Sequence, residues 1–400
     1  MDCFRKDFPF FSSHDIIYLD SAATAQKPYP VIEAEKEYYE RWNANPFRGS
    51  HGLAIKATEL YEDGRRAVAE WIGAGRAEEI IFTRNATEAL NLVALQYASR
   101  VLRPEDEIVL SIVEHHSNLL PWIRLAREKN ASVRYLVPDS DGLMTENEIE
   151  KVISDKTRIV AVAHVSNVLG CTLPVQSIAR IAHKHGAEVI VDATQSVQHM
   201  KVNVKDLGAD FLAFSAHKMT GPMGVGVLYG RYELLEMMDP LFWGGEMVGS
   251  VSEEGWVLSG IPHCFEAGTV NAAGVYGLQQ AILYLESAGI GRIREKVDSL
   301  ARMFMEGAAS ESHLHILGSA RPEEHNGIIS FIMDDLPAED VAAILDGESI
   351  AVRSGYHCAQ PLFEHLGIRQ AVRVSIFLYN NEEDIQRTLD VLLRIREMVS

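Results

Sequence analysis

DFLAFSAHKMTGPMGVGVLYG, residues Asp210–Gly230, decides how the rest of this chain is read. Its apolar run Phe211–Phe214 predicts a buried strand that ends in the polar Ser215-Ala216-His217-Lys218 and a glycine-rich turn. Val225-Gly226-Val227-Leu228-Tyr229 then predicts a second strand. A lysine therefore stands just past a strand end, with Ser and His beside it and glycines that permit close backbone approach. Such a lysine is either a solvated surface residue or an amine that forms a Schiff base with a carbonyl cofactor or substrate. The residues at the other strand ends choose between the two.

Upstream, strands are predicted at Glu79–Thr83, Glu107–Ser111, Val133–Val137, Arg158–Val165 and Glu188–Asp192. Helical stretches include Val31–Arg41, Leu53–Trp71, Thr87–Arg100, Leu119–Lys129 and Val175–His185. Repeated strand–helix units imply an α/β fold, a large domain whose mostly parallel sheet is flanked by helices. Ligands in such sheets bind beyond the carboxyl ends of the strands. Downstream, helices at Ala272–Ser287 and Gly291–Ala309 lead into strands Gly327–Met333, Ile350–Arg353 and Val372–Phe377. With helices at Ala338–Leu345 and Glu382–Met398 they form a smaller α+β C-terminal domain. The expected division is an N-terminal segment 1–30 packing with the small domain, a large domain 31–285 and a small domain 286–400.

Four hundred residues, 47% hydrophobic and 23% charged, suit a large globular core. A formal net charge of −19 disfavours binding to nucleic acid or an anionic membrane. No apolar run approaches the ~18–20 residues that span a bilayer, and MDCFRKDFPFFSSHD lacks a signal peptide's apolar run. Four scattered cysteines, with no CxxC pair, argue against a disulfide framework or a metal site. The expected compartment is the cytoplasm.

The predicted strand ends carry a non-random set. Arg84-Asn85-Ala86-Thr87-Glu88 opens a helix; Glu114-His115-His116-Ser117-Asn118 follows the next strand; Ser166-Asn167, Asp192 and Ser215–Lys218 follow others. Together they place a helix N-terminus, an imidazole, an amide, a carboxylate and a lysine on one rim. Pyridoxal phosphate needs that collection: a lysine for its aldehyde and a carboxylate for its ring nitrogen. Its phosphate suits a helix N-terminus with hydroxyls. Lys218 is the candidate lysine and Asp192, 26 residues earlier, the candidate carboxylate. Ala86 and Thr87, with Ser215 and His217, are the candidate phosphate holders.

YLDSAATAQKP (Tyr18–Pro28), RGSH (Arg48–His51), VEHHSN (Val113–Asn118), HVSNVLG (His164–Gly170) and VDATQS (Val191–Ser196) resemble the class V aminotransferase superfamily. FEAGTVN (Phe265–Asn271) and RSGYHCAQP (Arg353–Pro361), with the lysine stretch, narrow the resemblance to cysteine desulfurases of the SufS type. It runs in order from about Tyr18 to about Asn380. The resemblance implies that His115 stacks on the cofactor ring, Gln195 bonds its phenolic oxygen and Asn167 lies near the substrate carboxylate. It also implies that Thr269 reaches the phosphate of a second subunit in a homodimer. Arg373 is the expected clamp on the substrate carboxylate, with Arg353 beside it.

The same resemblance makes Cys358 a catalytic thiol, alongside Lys218 and His115; neighbouring Arg353 and His357 are expected to favour its thiolate. The implied reaction converts L-cysteine to L-alanine and leaves a persulfide on Cys358 for iron–sulfur cluster assembly. Only five positions separate Arg353 from Cys358, a short tether that implies a SufE- or SufU-like acceptor protein. Cys3, Cys171 and Cys264 match no catalytic motif. Tyr356 stands where a His is common and Val270 where a Pro is common. Arg48 and His51 receive no chemistry. The dinucleotide reading of Gly221–Gly226 fails, because the stretch lies between two strands instead of opening a helix. His183 and His185 read as a solvated helix end, and Met237-Met238 as packing. Rival readings are a selenocysteine lyase or aminotransferase of the same fold, and a non-catalytic assembly partner.

Overall fold

In the computed structural model residues 4–139 and 142–399 are described, which leaves Cys3 outside the described residues. A short strand β1 (Ile17–Tyr18) comes first. It is followed by β2 (Ile80–Thr83), β3 (Glu107–Ser111), β4 (Ser132–Leu136), β5 (Thr157–Ala163), β6 (Glu188–Asp192), β7 (Phe211–Ser215) and β8 (Gly226–Gly230). Strands β2–β8 form one seven-stranded sheet in the order β2-β8-β7-β6-β5-β3-β4. The central strands are continuous apolar runs because helices cover both faces. Val160 and Val162 of β5 join one core cluster while Ile159 and Ala161 join the other. Leu212 and Phe214 against Phe211 and Ala213 repeat the alternation on β7. Each fully buried aliphatic or aromatic side chain contributes ~1.5–3 kcal/mol.

The expected mostly parallel sheet holds from β4 to β7, whereas β8 runs antiparallel to both β7 and β2. The cause lies in Asp210–Gly230 itself. A parallel crossover needs about a dozen residues or more, and residues 216–225 are too short a link. Lys218 therefore sits in the turn of an antiparallel pair. Gly226 has no room for a side chain: an added Cβ would lie 2.4 Å from Cα of Asn85. That contact seats the helix Ala86–Val93 against the lysine turn.

A two-stranded hairpin, β9 (Val248–Ser252) with β10 (Gly255–Leu258), stands apart from the sheet. The remaining strands are β11 (Leu314–Ile316), β12 (Ile328–Met333), β13 (Ile350–Ala351), β14 (Arg353–Gly355) and β15 (Ala371–Ser375). They give a four-stranded antiparallel sheet in the order β11-β12-β15-β14. The single strand expected over Ile350–Arg353 is thus two, and β13 pairs in parallel with β1. Helices Ile290–Ala308 and Glu382–Val399 lie with this sheet, sharing a core of Phe304, Phe331, Val374 and Ile385. Gly170, at φ 69°, lets the loop after β5 meet the small sheet; a Cβ there would lie 1.9 Å from the His325 carbonyl oxygen.

One buried ion pair braces the start of the FEAGTVN loop. Glu266 accepts from Arg65 Nη1 and Nη2, both at 2.8 Å, from Tyr61 Oη at 3.0 Å and from the Phe82 N–H at 2.7 Å. Both side chains are almost fully buried.

Candidate active site

The carboxyl ends of β5, β6 and β7, the N-terminus of helix Ala86–Val93 and a loop of the small sheet enclose one cavity of about 340 Å³. It is lined by Lys218, Asp192, Gln195, His115, Ala86, Thr87, Ser215, His217, Asn167, Arg353, Arg373 and Cys358. Thr269 lines a separate cleft of about 380 Å³, with Phe242, Arg84 and Glu266.

Lys218 closes a short 3-10 turn, Ala216–Lys218. The carbonyl just before it, of His217, accepts from the Ala25 N–H at 3.0 Å, Lys27 Nζ at 3.2 Å and Thr24 Oγ1 at 3.3 Å. The N-terminal segment therefore clamps the peptide that aims the lysine. Burial brings the Lys218 amine down to about 8; Asp192 opposes that shift, and Arg373 and Arg353 add to it. Asp192 is buried and accepts the Thr194 N–H at 3.0 Å, and its burial pushes the carboxyl up.

At the helix end, Asn85 caps the first turn by accepting the Glu88 N–H. The Ala86 N–H donates to Ser215 Oγ at 2.8 Å, and the Thr87 and Ser117 hydroxyls meet at 2.7 Å. His217 lies alongside, its Nδ1 3.2 Å from Thr24 Oγ1, and burial brings it down to about 4. Three hydroxyls and a helix N-terminus thus converge at one end of the cavity, an arrangement that suits a phosphate.

His115 is a neutral imidazole, brought down to about 3 by burial and by Lys218. Its Nδ1 accepts the Ser117 N–H at 3.1 Å, which leaves the proton on Nε2. The loop that carries it is anchored by buried Glu114, which accepts Ser111 Oγ, the Ala163 N–H and Asn118 Nδ2 at 2.5–2.8 Å. That burial pushes Glu114 up to about 8. Gln195 donates to the Ala22 carbonyl at 2.8 Å, so its amide nitrogen is fixed on that side.

On the small-sheet side, Arg373 donates through Nη1 to the Asn167 carbonyl at 2.9 Å and approaches Asp20 Oδ1 with Nη2 at 3.4 Å. Its Nε is buried with no partner among the described residues. An unmet buried N–H costs ~1–3 kcal/mol and marks a place for an acceptor from outside. Burial brings this guanidinium down to about 10, against the pull of Asp20. Arg353 forks onto Asp20 through Nε and Nη2 at 3.0–3.2 Å.

Cys358 is exposed at the cavity mouth. The expectation that His357 favours its thiolate is corrected: burial brings His357 down to about 3, so it carries no charge near neutrality. Its ring serves structure, with Nε2 donating to the Ala371 carbonyl at 3.1 Å. Arg353 remains near the sulfur as a cation, together with Arg373 and Lys218. Cys171 and Cys264 are buried, and burial pushes them up to about 12 and about 11, in keeping with unreactive thiols.

Asp20, Ala22, Asn85, Ser117 and Thr194 also belong to this site, although no role was read for them individually in the sequence. Asn85 left a signal as an N-cap residue ahead of the helix, and the others lay within motifs or strand ends already singled out. Arg48 and His51 lie elsewhere. Arg48 pairs with Glu246 at 3.1 Å, and His51 caps helix Gly52–Trp71. His183 and His185 pair with Asp210 and Asp155. The described residues hold no cluster of His, Cys, Asp and Glu fit for a metal, and no helix long and apolar enough to cross a membrane.

The aminotransferase class-V family profile matches residues 17–388. A probable cysteine desulfurase of Halalkalibacterium halodurans is 45% identical over 397 residues, covering 98% of this chain and 97% of the relative. The solved apo structure of a cysteine desulfurase from Thermococcus onnurineus superposes with a TM-score of 0.94 at 43% identity, over 98% of this chain and 96% of that one. The cysteine desulfurase CsdA of Escherichia coli, in an S-sulfonic acid form, gives 0.91 at 36% identity over 99% and 98%.

Proposed function

Since the chain belongs to the class-V aminotransferase family and is a pyridoxal-phosphate-dependent cysteine desulfurase, we propose how its own residues divide the work. The one observation that carries the reading is that Lys218, Asp192, Arg373 and Cys358, from four separate loops and strands, line a single cavity. The site fits the cofactor: a hydroxyl-rich helix N-terminus at one end, and a buried Asp192 that a cationic ring nitrogen would relieve. Ala86, Thr87, Ser215 and His217 would hold the phosphate, with Thr269 of a second copy. Asp192 would hold the ring nitrogen, His115 the ring face and Gln195 the ring oxygen.

When bound, pyridoxal phosphate supplies a carbonyl that links to amines and a protonated ring that withdraws electrons from the substrate carbon. Arg373 holds the carboxylate of L-cysteine, with Asn167 and Arg353 at its flank. Lys218, whose amine burial brings down to about 8, takes the proton from the α-carbon in its unprotonated form. The Cys358 thiolate then attacks the substrate sulfur. The new S–S bond forms as the C–S bond breaks, its electron pair stays with carbon, and that carbon gains a proton. Lys218 returns a proton to the α-carbon, L-alanine leaves, and Cys358 is left as a persulfide.

The persulfide passes to an acceptor for iron–sulfur cluster assembly in the cytoplasm. A SufE- or SufU-like protein that comes to the cavity mouth suits the tether, because the Cys358 carbonyl is itself tied to the large sheet. The working form is a homodimer, a reading supported by the exposed Val251, Trp256 and Val257 of the β9–β10 hairpin and the nearby Trp243. The chain divides into segment 1–30, a large domain 31–285 and a small domain 286–400.

The test is an assay of alanine and sulfide from L-cysteine with a thiol reductant, alongside the visible spectrum. Cys358→Ala should keep the cofactor band and lose sulfide. Colourless wild-type protein, or a fully active Cys358→Ala, would overturn the reading.

A further inference from the structure

Lys27 lies outside the cavity lining, yet its ammonium group is tied to the peptide that precedes Lys218. Nζ donates to the Ala25 carbonyl at 2.5 Å, to Thr24 Oγ1 at 3.2 Å and to the His217 carbonyl at 3.2 Å. Burial brings this amine down to about 8 against the pull of Glu35, so the ammonium form prevails near pH 7. Its three N–H bonds then meet three acceptors.

Lone pairs decide where the Thr24 proton goes. A carbonyl oxygen has two, and at His217 the Ala25 N–H at 3.0 Å and Lys27 Nζ at 3.2 Å fill them. Thr24 Oγ1 is the most distant of the three donors around that oxygen, at 3.3 Å, and it stands 3.2 Å from His217 Nδ1. Lys27 already donates to Oγ1, so the hydroxyl proton turns to Nδ1 as the acceptor still open. The His217 ring, brought down to about 4 by burial, is neutral and carries one proton, which this bond assigns to Nε2. Nε2 has no protein partner among the described residues, and His217 lines the cavity whereas Thr24 does not. We propose that Lys27 and Thr24 are positioning residues for the cofactor phosphate, which together hold His217 in the tautomer that offers an N–H to an anion. This rests on the reading that His217 holds the phosphate. The opposite tautomer would present a lone pair there, and two acceptors make no hydrogen bond.

Pyridoxal 5'-phosphate and pyridoxal share an aldehyde and a ring and differ in the phosphate, so their relative affinity isolates that end of the site. The cofactor-loaded protein is dialysed near pH 7 against mixtures of the two, reduced with borohydride and weighed by mass spectrometry. The ratio of the two lysine adducts gives the ratio of affinities. Lys27→Met and Thr24→Val should each shift it about tenfold towards pyridoxal, the effect of losing one charge-assisted hydrogen bond. Thr24→Val keeps the Lys27 charge, so its shift cannot be a plain charge effect. Thr24→Ser keeps the hydroxyl and should hold the wild-type ratio. A merely structural role would lower both adducts alike, so a shift below twofold in either Lys27→Met or Thr24→Val overturns the proposal. If Lys27→Met does not fold, the Thr24 pair decides. A wild-type ratio in His217→Ala would instead overturn the underlying assignment of His217.

Discussion

The backbone N–H of His116 donates to the carbonyl of Cys358 at 2.7 Å, which ties the Cys358 loop on the small sheet to the histidine loop on the large one. A second tie lies one residue earlier, where Asn167 Nδ2 donates to the His357 carbonyl at 2.8 Å. His357 and Cys358 have φ of 48° and 56°, a left-handed conformation that costs ~1–2 kcal/mol per non-glycine residue. These two donors help to hold the loop there.

Asn167→Ala removes one tie and leaves the backbone carbonyl of residue 167 with Arg373. Alanine formation from L-cysteine should fall about tenfold or more, in line with the sensitivity of rates to small misplacements of a reacting group. The visible cofactor band should persist. A turnover within twofold of wild type would show that the loop holds itself.

The Lys218 amine, brought down to about 8, can accept a proton only when unprotonated, and the proposed role as base requires that form. Where proton transfer limits turnover, the rate should therefore fall about tenfold per pH unit below pH 8 and level off above it. Initial rates between pH 6.5 and 9.5 test the sign. Lys218→Arg, charged throughout that range, should show neither turnover nor the cofactor band, and a flat profile in wild type would exclude Lys218 as the limiting base.

Glu266→Gln takes from buried Arg65 its buried counter-charge and leaves it only the partly exposed Glu62. Breaking such a pair costs ~3–5 kcal/mol, so the urea midpoint should drop clearly. Replacing exposed Glu59, whose pairing with Lys56 is at the surface, should move it little. Equal midpoints for the two variants would mean that the Arg65–Glu266 pair carries no structural weight.

Trp256→Ser with Val251→Ser removes the apolar surface of the β9–β10 hairpin, where the two side chains are 61% and 69% exposed. If that face is covered by a second copy, wild type should sediment as a dimer and the double variant should shift towards monomer at low micromolar concentration. A wild-type monomer would refute the assembly, and an unchanged variant dimer would place the interface elsewhere.

Much of the site was legible because its residues sit where apolar runs stop. Glu107–Ser111 and Glu188–Asp192 are strands with the bounds their sequences suggest, and Asp192 and Lys218 follow from such ends. What escaped depends on distance along the chain. Asp20 acquires its meaning from arginines more than 330 residues away, and no local pattern announces that. The two-residue β1 and three-residue β11 are too short to show a period. The β9–β10 hairpin is nearly all exposed and carries no buried face to betray it. His357 misled because proximity in sequence to a cysteine says nothing about burial, and burial is what keeps that ring uncharged.

The pairing of Ile17 with Ile350, and of Asp20 with Ser375, also sets an order of events during synthesis. The first strand to leave the ribosome has no partner until nearly the whole chain has followed. At ~5–20 residues per second, that wait is on the order of 20–70 s. Once Asp192 and Lys218 have been made, the nascent chain still lacks Arg353, Cys358 and Arg373 of the cavity lining. A chain cut short before β15 therefore has no complete pocket to fill.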